Sequence, residues 1–244
     1  MSQTRLNKFL ADHGVCSRRG ADALIQKGSV TVNGRRASVG AKVEDGDLVS
    51  VLGQEIEGEP QKVYLAFHKP VGLLTTTDTT KPDNVISFLN YPERVFPIGR
   101  LDVESSGLLL LTNDGALANA LMHPRYEHEK EYEVTVREIL RDADLETMRK
   151  GGMKLVEEKS TRPTRITRLS SKRFRMVLTE GQNRQIRRMC QALGYHVTSL
   201  ARVRVMNVHL GRLKEGGFRN IVGPELNQLL RAMDESPITD SAKV

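Results

Sequence analysis

Two charged side chains stand directly before the most apolar segment of this 244-residue chain. Arg100 and Asp102 lie in the stretch GRLDVESSG, and four leucines follow at residues 108–111. The leucines predict a buried strand, and Gly99 and Gly107 permit tight backbone turns on either side of the charges. A short loop fixed to a rigid strand is a good place to hold a catalytic side chain, so Asp102 is the first candidate.

A carboxylate buried alone takes up a proton and becomes a poor nucleophile, so Asp102 needs a cation nearby. The segment EGQNRQIRRM predicts a helix with Arg184 and Arg187 one turn apart, and Arg187 borders the apolar face of Ile186. We therefore expect Asp102 and Arg187 to pair. Tyr132, in the predicted strand KEYEVTV, is a third candidate, because its ring could stack on a base and its hydroxyl could assist proton transfer. Ordinary core packing remains the alternative for Tyr132.

Other chemistries lack their motifs. The sequence contains no phosphate-binding glycine loop, no paired metal-ligand spacing and no nucleophile elbow of a serine hydrolase. Its two cysteines, Cys16 and Cys190, are far apart, which predicts neither a zinc site nor a disulfide and fits a reducing compartment. No signal peptide or membrane-length apolar run is present, so we expect a cytoplasmic protein without membrane contact, metal or cofactor.

The N-terminal segment is strongly basic. Eight basic and two acidic residues lie between residues 5 and 42, where most of the net charge of +7 is found. Apolar residues at helical spacing predict two helices, Ser17 is a candidate cap for the second, and Asn33-Gly34 predicts a hairpin. An acid-rich linker follows at residues 53–62. Such a module suits a nucleic-acid partner, although a solvated helix pair with scattered charges is the plain alternative.

The remainder alternates predicted strands and helices. Strands are expected in VYLAFHK, GLLLLT, KEYEVTV, TRPTRITRL, RFRMVLTE and HVTSLARVRVMNVHL, and helices in VISFL, DGALANALMH, DADLETMRKG and NRQIRRMCQALG. We predict an α+β fold with a small domain at residues 1–58, a larger one at 63–232 and a disordered tail at 233–244. The larger domain should have a mixed, mainly antiparallel sheet with flanking helices.

The N-terminal segment resembles an S4 domain, a small RNA-binding module of two helices and a β-hairpin. The resemblance rests on Arg5-Leu6, Ser17-Arg18-Arg19, Ala21, Gly28, Val30, Val32-Asn33-Gly34 and the ending VEDGDLVSV. It implies that basic side chains of this module face structured RNA. The candidates are Arg5, Lys8, Arg18, Arg19, Arg35 and Arg36.

Four motifs behind this module, HKPVG, FPIGRLDVESSGLLLLTNDG, KEYEV and LTEGQNRQIRRM, resemble the RsuA/RluB/RluE/RluF family of bacterial ribosomal RNA pseudouridine synthases. The continuation RQIRRMCQALGYHV…RVRVMNVHL is most similar to the RluF branch, which acts on 23S rRNA. The resemblance implies an isomerisation without metal or cofactor, in which the uridine C1′–N1 bond breaks, the base rotates and C5 bonds to C1′.

The resemblance also assigns roles to residues. It places the catalytic aspartate at Asp102, the active-site tyrosine at Tyr132 and the arginine that pairs with the aspartate at Arg187. Arg100 is expected to help evert the nucleotide or fill the vacated stack. The remaining candidates are Arg184 as an RNA contact and Lys69, Pro70, Gly99, Leu101 and Gly107 as support for the site.

The expected partner is a 23S rRNA hairpin, with 16S rRNA or tRNA left open, and the chain is expected to be a monomer. Two other functions remain possible at this point. A non-catalytic RNA-binding or ribosome-assembly factor would show the same basic module but would not need Asp102, Tyr132 and Arg187 together. A hydrolase could use Asp102 and Glu104 as paired carboxylates, although the absence of tryptophan argues against a glycosidase.

Overall fold

The computed structural model describes residues 3–58, 61–156 and 159–234. The chain forms two compact units, each with its own hydrophobic core: the first comprises the chain up to residue 62 with residues 92–94 and 113–115, and the second comprises the rest. No helix in the described ranges is both long and apolar enough to cross a membrane.

The N-terminal unit combines two helices with a four-stranded antiparallel sheet. Its elements are β1 (Thr4–Arg5), α1 (Leu6–Asp12), α2 (Arg18–Gln26), β2 (Val30–Val32), β3 (Arg35–Arg36), β4 (Lys42–Val43), β5 (Val49–Val51) and β6 (Gln54–Glu55). The sheet order is β3-β2-β5-β6, and β1 pairs separately with β4. The helices bury their predicted apolar faces against the sheet, with Leu6, Leu10 and Ile25 at most 3% exposed.

Local signals in this unit behave as the sequence predicts, with one exception. Ser17 Oγ accepts a hydrogen bond from the amide of Gly20 and caps α2. Asn33 and Gly34 both adopt positive φ angles in the β2–β3 hairpin. The predicted linker at residues 53–62 is wrong at its start, because β6 pairs with β5 through a turn at Leu52-Gly53.

The second unit contains most of the helices and strands. Its strands are β7 (Tyr64–Lys69), β8 (Phe96–Ile98), β9 (Ser106–Thr112), β10 (Lys130–Val136), β11 (Lys154–Val156), β12 (Lys159–Ser160), β13 (Arg165–Arg168), β14 (Arg173–Leu178), β15 (Val197–Val205), β16 (Val208–His209) and β17 (Phe218–Asn220). Its helices are α3 (Val85–Leu89), α4 (Gly115–Met122), α5 (Asp142–Lys150), α6 (Gln185–Ala192) and α7 (Gly223–Asp234).

A nine-stranded sheet forms the framework of this unit. Seven strands follow the order β13-β14-β10-β15-β9-β7-β17, with β8 beside β9 and β16 beside β15. Every pairing is antiparallel except that of β15 with β9, which is parallel and joins only two residue pairs. The predicted mixed, mainly antiparallel sheet with flanking helices is confirmed.

The leucine run occupies β9 near the middle of the sheet, where both faces are covered. Leu108 and Leu110 belong to one core cluster with α4 and α7, whereas Leu109 and Leu111 belong to another with α3. A strand buried on both faces needs apolar residues at consecutive positions, which explains why the sequence does not alternate here.

Several details differ from the prediction. The helix α6 begins at Gln185, and Arg184 precedes it with a left-handed backbone (φ 52°). Arg184 and Arg187 therefore do not lie one turn apart within a helix, as the sequence predicted. Residues 233 and 234 of the expected disordered tail end α7, and residues 235–244 lie outside the described residues. The sequence patterns also did not indicate α7 and β17.

Candidate active site

The loop from Arg100 to Ser105, which precedes β9, has every one of its backbone carbonyl groups engaged. The carbonyl oxygen of each of its six residues accepts a hydrogen bond. In order along the loop, the donors are Arg202 Nη1, Thr75 Oγ1, Lys69 Nζ, the Gly72 amide, Arg187 Nη2 and again Lys69 Nζ. A loop held at every peptide presents its side chains from a fixed position, which is the requirement for a preorganised site.

Asp102 is half-buried at the centre of this loop. Within the part of the chain that the structure describes, no hydrogen bond and no ion pair engages its carboxylate. The neighbouring Leu101 is 7% exposed and anchors the loop in the core, while Thr75 Oγ1 also accepts from the Leu101 amide at 3.3 Å. The hydrogen bonds that anchor the loop therefore involve its backbone, and the Asp102 carboxylate remains available.

Lys69, the last residue of β7, binds the backbone of this loop with its side chain. Its side chain is fully buried, and Nζ donates to the carbonyl oxygens of Pro70 at 2.9 Å, Asp102 at 3.2 Å and Ser105 at 2.8 Å. Burial lowers the pKa of Lys69 to about 8, while the charge of Asp102 opposes the shift. Lys69, one of the residues that the resemblance implied as support for the site, thus contacts two carbonyls of the loop, and the Pro70 carbonyl is its third acceptor.

Arg187 reaches the same loop from α6, but not in the predicted way. Its Nη2 donates to the Glu104 carbonyl at 2.9 Å and to Ser105 Oγ at 3.3 Å. Among the described ion pairs, none within 4.0 Å joins Arg187 to Asp102, so the expected pair is wrong for this structure. The guanidinium instead satisfies backbone and hydroxyl acceptors beside the aspartate.

Arg184, the residue before α6, forms an ion pair with Glu104 of the loop. Its Nη1 lies 2.8 Å from Glu104 Oε2, and this hydrogen bond lowers the pKa of Glu104. A two-carboxylate hydrolase needs one acid with a raised pKa, so the hydrolase alternative loses its second member. Arg184 was expected to contact RNA, and the structure engages it with Glu104.

Tyr132 lies in β10 beside β15, with Arg202 as its partner in the register. Its half-buried ring packs against two core clusters, one of which contains Leu101 of the loop. Tyr132 therefore packs against the same core cluster as the residue that precedes Asp102. The structure shows core packing for Tyr132, and its role beside the candidate aspartate stays a prediction.

The remaining candidates separate into structural and exposed positions. A Cβ at Gly107 would lie 2.3 Å from the Arg202 carbonyl oxygen, so only glycine allows β9 and β15 to approach this closely. Gly99 has a φ of 76°, and the side chain of Arg100 is exposed at the start of the loop. In the N-terminal unit, Lys8 lies 2.6 Å from Asp12, whereas the other candidates are exposed without an ion pair among the described residues: Arg5, Arg18, Arg19, Arg35 and Arg36.

The sequence analysis missed Arg202, Thr75 and Gly72, which all hold the loop. Arg202 carried a signal, since it interrupts an apolar strand pattern at a position that proves to be 3% exposed. Thr75 and Gly72 carried none, because nothing in their neighbourhood distinguishes them from ordinary turn residues. No group of three or more histidine, cysteine, aspartate or glutamate side chains in the described ranges is arranged to hold a metal ion.

Comparison with known proteins assigns both units. A family model described as RNA pseudouridylate synthase matches residues 63–192, and one described as S4 domain matches residues 4–49. A solved structure described as a pseudouridylate synthase is similar over 93% of this chain and 99% of its own, with a TM-score of 0.67 and 27% identity.

Two curated relatives match almost the whole chain. The dual-specificity RNA pseudouridine synthase RluF of Escherichia coli (strain K12) is 42% identical over 96% of this chain and 81% of its own length. Ribosomal large subunit pseudouridine synthase B of Bacillus subtilis (strain 168) is 39% identical over 94% of this chain and 97% of its own length.

Proposed function

The chain belongs to the RNA pseudouridylate synthase family, and we propose that it isomerises uridine to pseudouridine in RNA of the large ribosomal subunit. The observation that carries the catalytic part is the loop at residues 100–105, whose peptides are all held while the Asp102 carboxylate is left without a partner among the described residues. A purely RNA-binding protein has no need for such a loop.

Asp102 is the proposed catalytic carboxylate. The reaction breaks the C1′–N1 bond of uridine, rotates the detached uracil and joins its C5 to C1′, after which the C5 proton leaves to solvent or to a nearby base and N1 takes up a proton. Atoms balance without an added reactant, so the protein must supply position, charge and a place for the rotating base. Asp102 acts on the sugar or the base at the start of this sequence.

Tyr132 and Arg187 have distinct proposed roles. The Tyr132 ring provides a face on which the everted base stacks. Arg187 holds the loop through Glu104 and Ser105 and adds positive charge near Asp102. Removing a base from its stack costs roughly a few kcal/mol. The proposed role of Arg100, which is exposed two residues before Asp102, is to contact the RNA or to occupy the vacated position.

The substrate assignment rests on the relatives and on the basic N-terminal unit. The Bacillus subtilis relative is named for the large ribosomal subunit, and the Escherichia coli relative is named as dual-specificity. The S4 domain match and the exposed arginines of that unit support RNA as the partner. We expect the domain to bind a structured segment of 23S rRNA as a monomer, with the modified uridine presented to residues 100–105.

The test is pseudouridine formation by the purified protein on 23S rRNA, 16S rRNA and bulk tRNA, each mapped at nucleotide resolution. We expect a site in 23S rRNA, and we expect Asp102→Asn to lower its single-turnover rate by about 10⁴-fold or more with RNA affinity unchanged. Tyr126→Phe serves as a control outside the loop. Activity confined to 16S rRNA or tRNA would contradict the substrate, and an active Asp102→Asn protein would contradict the catalytic residue.

A further inference from the structure

The nine-stranded sheet is built from two halves that meet at a short junction. The β9 half consists of β7, β8, β9 and β17 and carries the Asp102 loop. The β15 half consists of residues 127–209 and includes β10 with Tyr132, β13 to β16, α5 and α6. The strands β9 and β15 join the halves through two residue pairs. The position of the Asp102 loop relative to the β15 half therefore depends on the side chains that cross between the halves.

One ion pair crosses between the halves, and it lies at the candidate site. Arg184 Nη1 of the β15 half lies 2.8 Å from Glu104 Oε2 of the β9 half. Among the described ion pairs, no other has one member in each half. Arg184 directly precedes α6, and Glu104 lies two residues after Asp102.

Glu104 is held at both its side chain and its backbone from the start of α6. Arg184 binds the carboxylate, and Arg187 Nη2 donates to the carbonyl oxygen of the same residue at 2.9 Å. Lys69 of the β9 half donates to the Asp102 carbonyl oxygen at 3.2 Å. The segment from Asp102 to Glu104 is thus anchored to the β9 half at its beginning and to the β15 half at its end.

The backbone at Arg184 is fixed by its neighbours. Its φ of 52° is left-handed, a conformation that is unfavourable for residues other than glycine and persists where surrounding contacts enforce it. The buried side chain of Gln185 accepts a hydrogen bond from the Gln182 amide at 3.1 Å and donates to Glu180 Oε1 at 2.6 Å. The bond between Gln182 and Gln185 spans Arg184 and so restricts the direction in which the Arg184 side chain leaves the backbone.

The exposure of this ion pair argues against a mainly stabilising role. The Arg184 and Glu104 side chains are 41% and 56% exposed, and exposed ion pairs add little to the free energy of unfolding. The hydrogen bond with Glu104 raises the pKa of Arg184, burial opposes the shift, and the charges of Glu104 and Asp102 add to it. Arg184 therefore touches Glu104 directly and also interacts with Asp102 through charge.

Resting on the proposed function, we propose that Arg184 is a positioning residue whose ion pair with Glu104 aligns the Asp102 loop with the β15 half for the chemical step. Arg184 acts through Glu104 and not on the uridine itself. Misplacement of a reacting group by about 1 Å can lower a rate roughly a hundredfold. The loop keeps its backbone anchors when this ion pair is lost, so the expected loss is smaller, about tenfold.

The other use of an exposed arginine is a contact with an RNA phosphate, the role that the sequence analysis expected for Arg184. The two roles predict different behaviour of Glu104. A phosphate would compete with Glu104 for the guanidinium, so loss of the Glu104 charge would strengthen RNA binding and loss of Arg184 would weaken it. Alignment needs both members of the pair, so loss of either one lowers the rate and leaves RNA binding unchanged.

The experiment is a double-mutant cycle of single-turnover pseudouridine formation with saturating RNA, using wild type, Arg184→Gln, Glu104→Gln and the double variant. We expect each single change to lower the rate about tenfold and the double change to lower it no further. The Kd for RNA should change less than about twofold, and the midpoint of urea unfolding should stay at the wild-type value. Arg184→Lys should retain most of the rate, because a single N–H of Arg184 reaches Glu104.

Arg165→Gln is the matched control for the cycle. Arg165 is also exposed and forms one ion pair, with Glu129 at 2.6 Å, but this pair lies within the β15 half. We expect its single-turnover rate to equal that of wild type.

Four results would overturn the proposal: losses that add in the double variant, wild-type rates in both single variants, a weaker Kd with an unchanged saturated rate for Arg184→Gln, or an equal loss of rate in Arg165→Gln. If Arg184→Gln does not fold, Arg184→Met replaces it with the same expectations. The proposed function fails separately, since an active Asp102→Asn protein would contradict it whatever the cycle shows.

Discussion

In the N-terminal unit five arginines are exposed without an ion pair among the described residues, whereas ten arginines beyond residue 63 form ion pairs with carboxylates. The contrast is clearest at β10 and the residue before it, where Glu129, Glu131 and Glu133 form ion pairs with arginines of β13, β14 and β15. The two units use the same side chain for different purposes.

An arginine that already holds a carboxylate has little to gain from a phosphate, because its charge is neutralised and its donors are engaged. An exposed arginine without such a partner can release counterions when RNA binds. The comparison therefore predicts that RNA affinity depends on the arginines of the N-terminal unit, while the ten paired arginines beyond residue 63 mainly stabilise their own unit. Arg202 fits neither class, since it is buried and unpaired.

The largest effect is expected at Gly107, which lets β15 approach closely enough to bury Arg202. Gly107→Ala would place a methyl group 2.3 Å from the Arg202 carbonyl oxygen, and we expect a loss of more than about 4 kcal/mol in the free energy of unfolding. Gly152→Ala is the control, because Gly152 also has a positive φ but nothing within 4 Å of its Cβ position. Chemical denaturation of both variants measures the difference, and equal losses would show that the close approach is unimportant.

The next effect concerns RNA binding. We expect the double change Arg18→Ala and Arg19→Ala to weaken RNA binding about tenfold or more and to reduce the slope of log K against log salt by about 1.5, with stability almost unchanged. Titrations at several salt concentrations measure both quantities. The matched control is Arg165→Ala with Arg173→Ala, which removes paired arginines and should leave the salt slope unchanged. Similar slopes for the two double variants would contradict the conclusion that unpaired arginines of the N-terminal unit, and not paired ones, bind the RNA.

The smallest expected effect is the pH dependence of stability that comes from one carboxylate paired with arginines, Glu133. Burial opposes ionisation of Glu133, but hydrogen bonds from Arg175 and Arg173 outweigh it and hold the pKa of Glu133 below its usual value. The stabilisation from this carboxylate is present above the unfolded pKa, near 4.5, and is lost as the pH falls through the lower folded pKa.

Glu133→Gln should therefore cost about 1 kcal/mol at pH 7, because the arginines are partly exposed and their pairing is screened. The difference from wild type should shrink toward zero in strong acid. Urea unfolding at pH 7, 4.5 and 3 measures it, and a difference independent of pH would show that the carboxylate charge is not what stabilises β10.

Much of the fold was predictable because its signals are local. Four consecutive leucines predicted a buried strand, Asn33-Gly34 predicted a hairpin, and Ser17 predicted a helix cap. Each depends on the chemistry of a few adjacent residues. The family was recognisable for a similar reason, since its motifs are short and contiguous.

The contacts of the candidate site were less predictable because they depend on strand order. Lys69, Gly107 and Arg202 become neighbours only through pairings that join distant segments. The expected pair between Asp102 and Arg187 failed because the Arg187 guanidinium donates to the Glu104 carbonyl and to Ser105 Oγ instead. Helical spacing gave the correct face for Arg187 but could not give its acceptor.

The short parallel junction between β9 and β15 has a consequence for how the chain folds. Strands β10, β13, β14 and β15 can pair with one another through nearby or moderately distant segments, as can β7, β8 and β9. Joining the two groups requires closure of a loop of roughly a hundred residues for two residue pairs, which is unfavourable until both groups are formed. We expect this junction, like the pairing of β7 with β17 that joins still more distant segments, to form late in the second unit, so the loop that holds Asp102 gains its anchor from Arg202 only late in folding. A refolding intermediate would then have ordered strands but no activity.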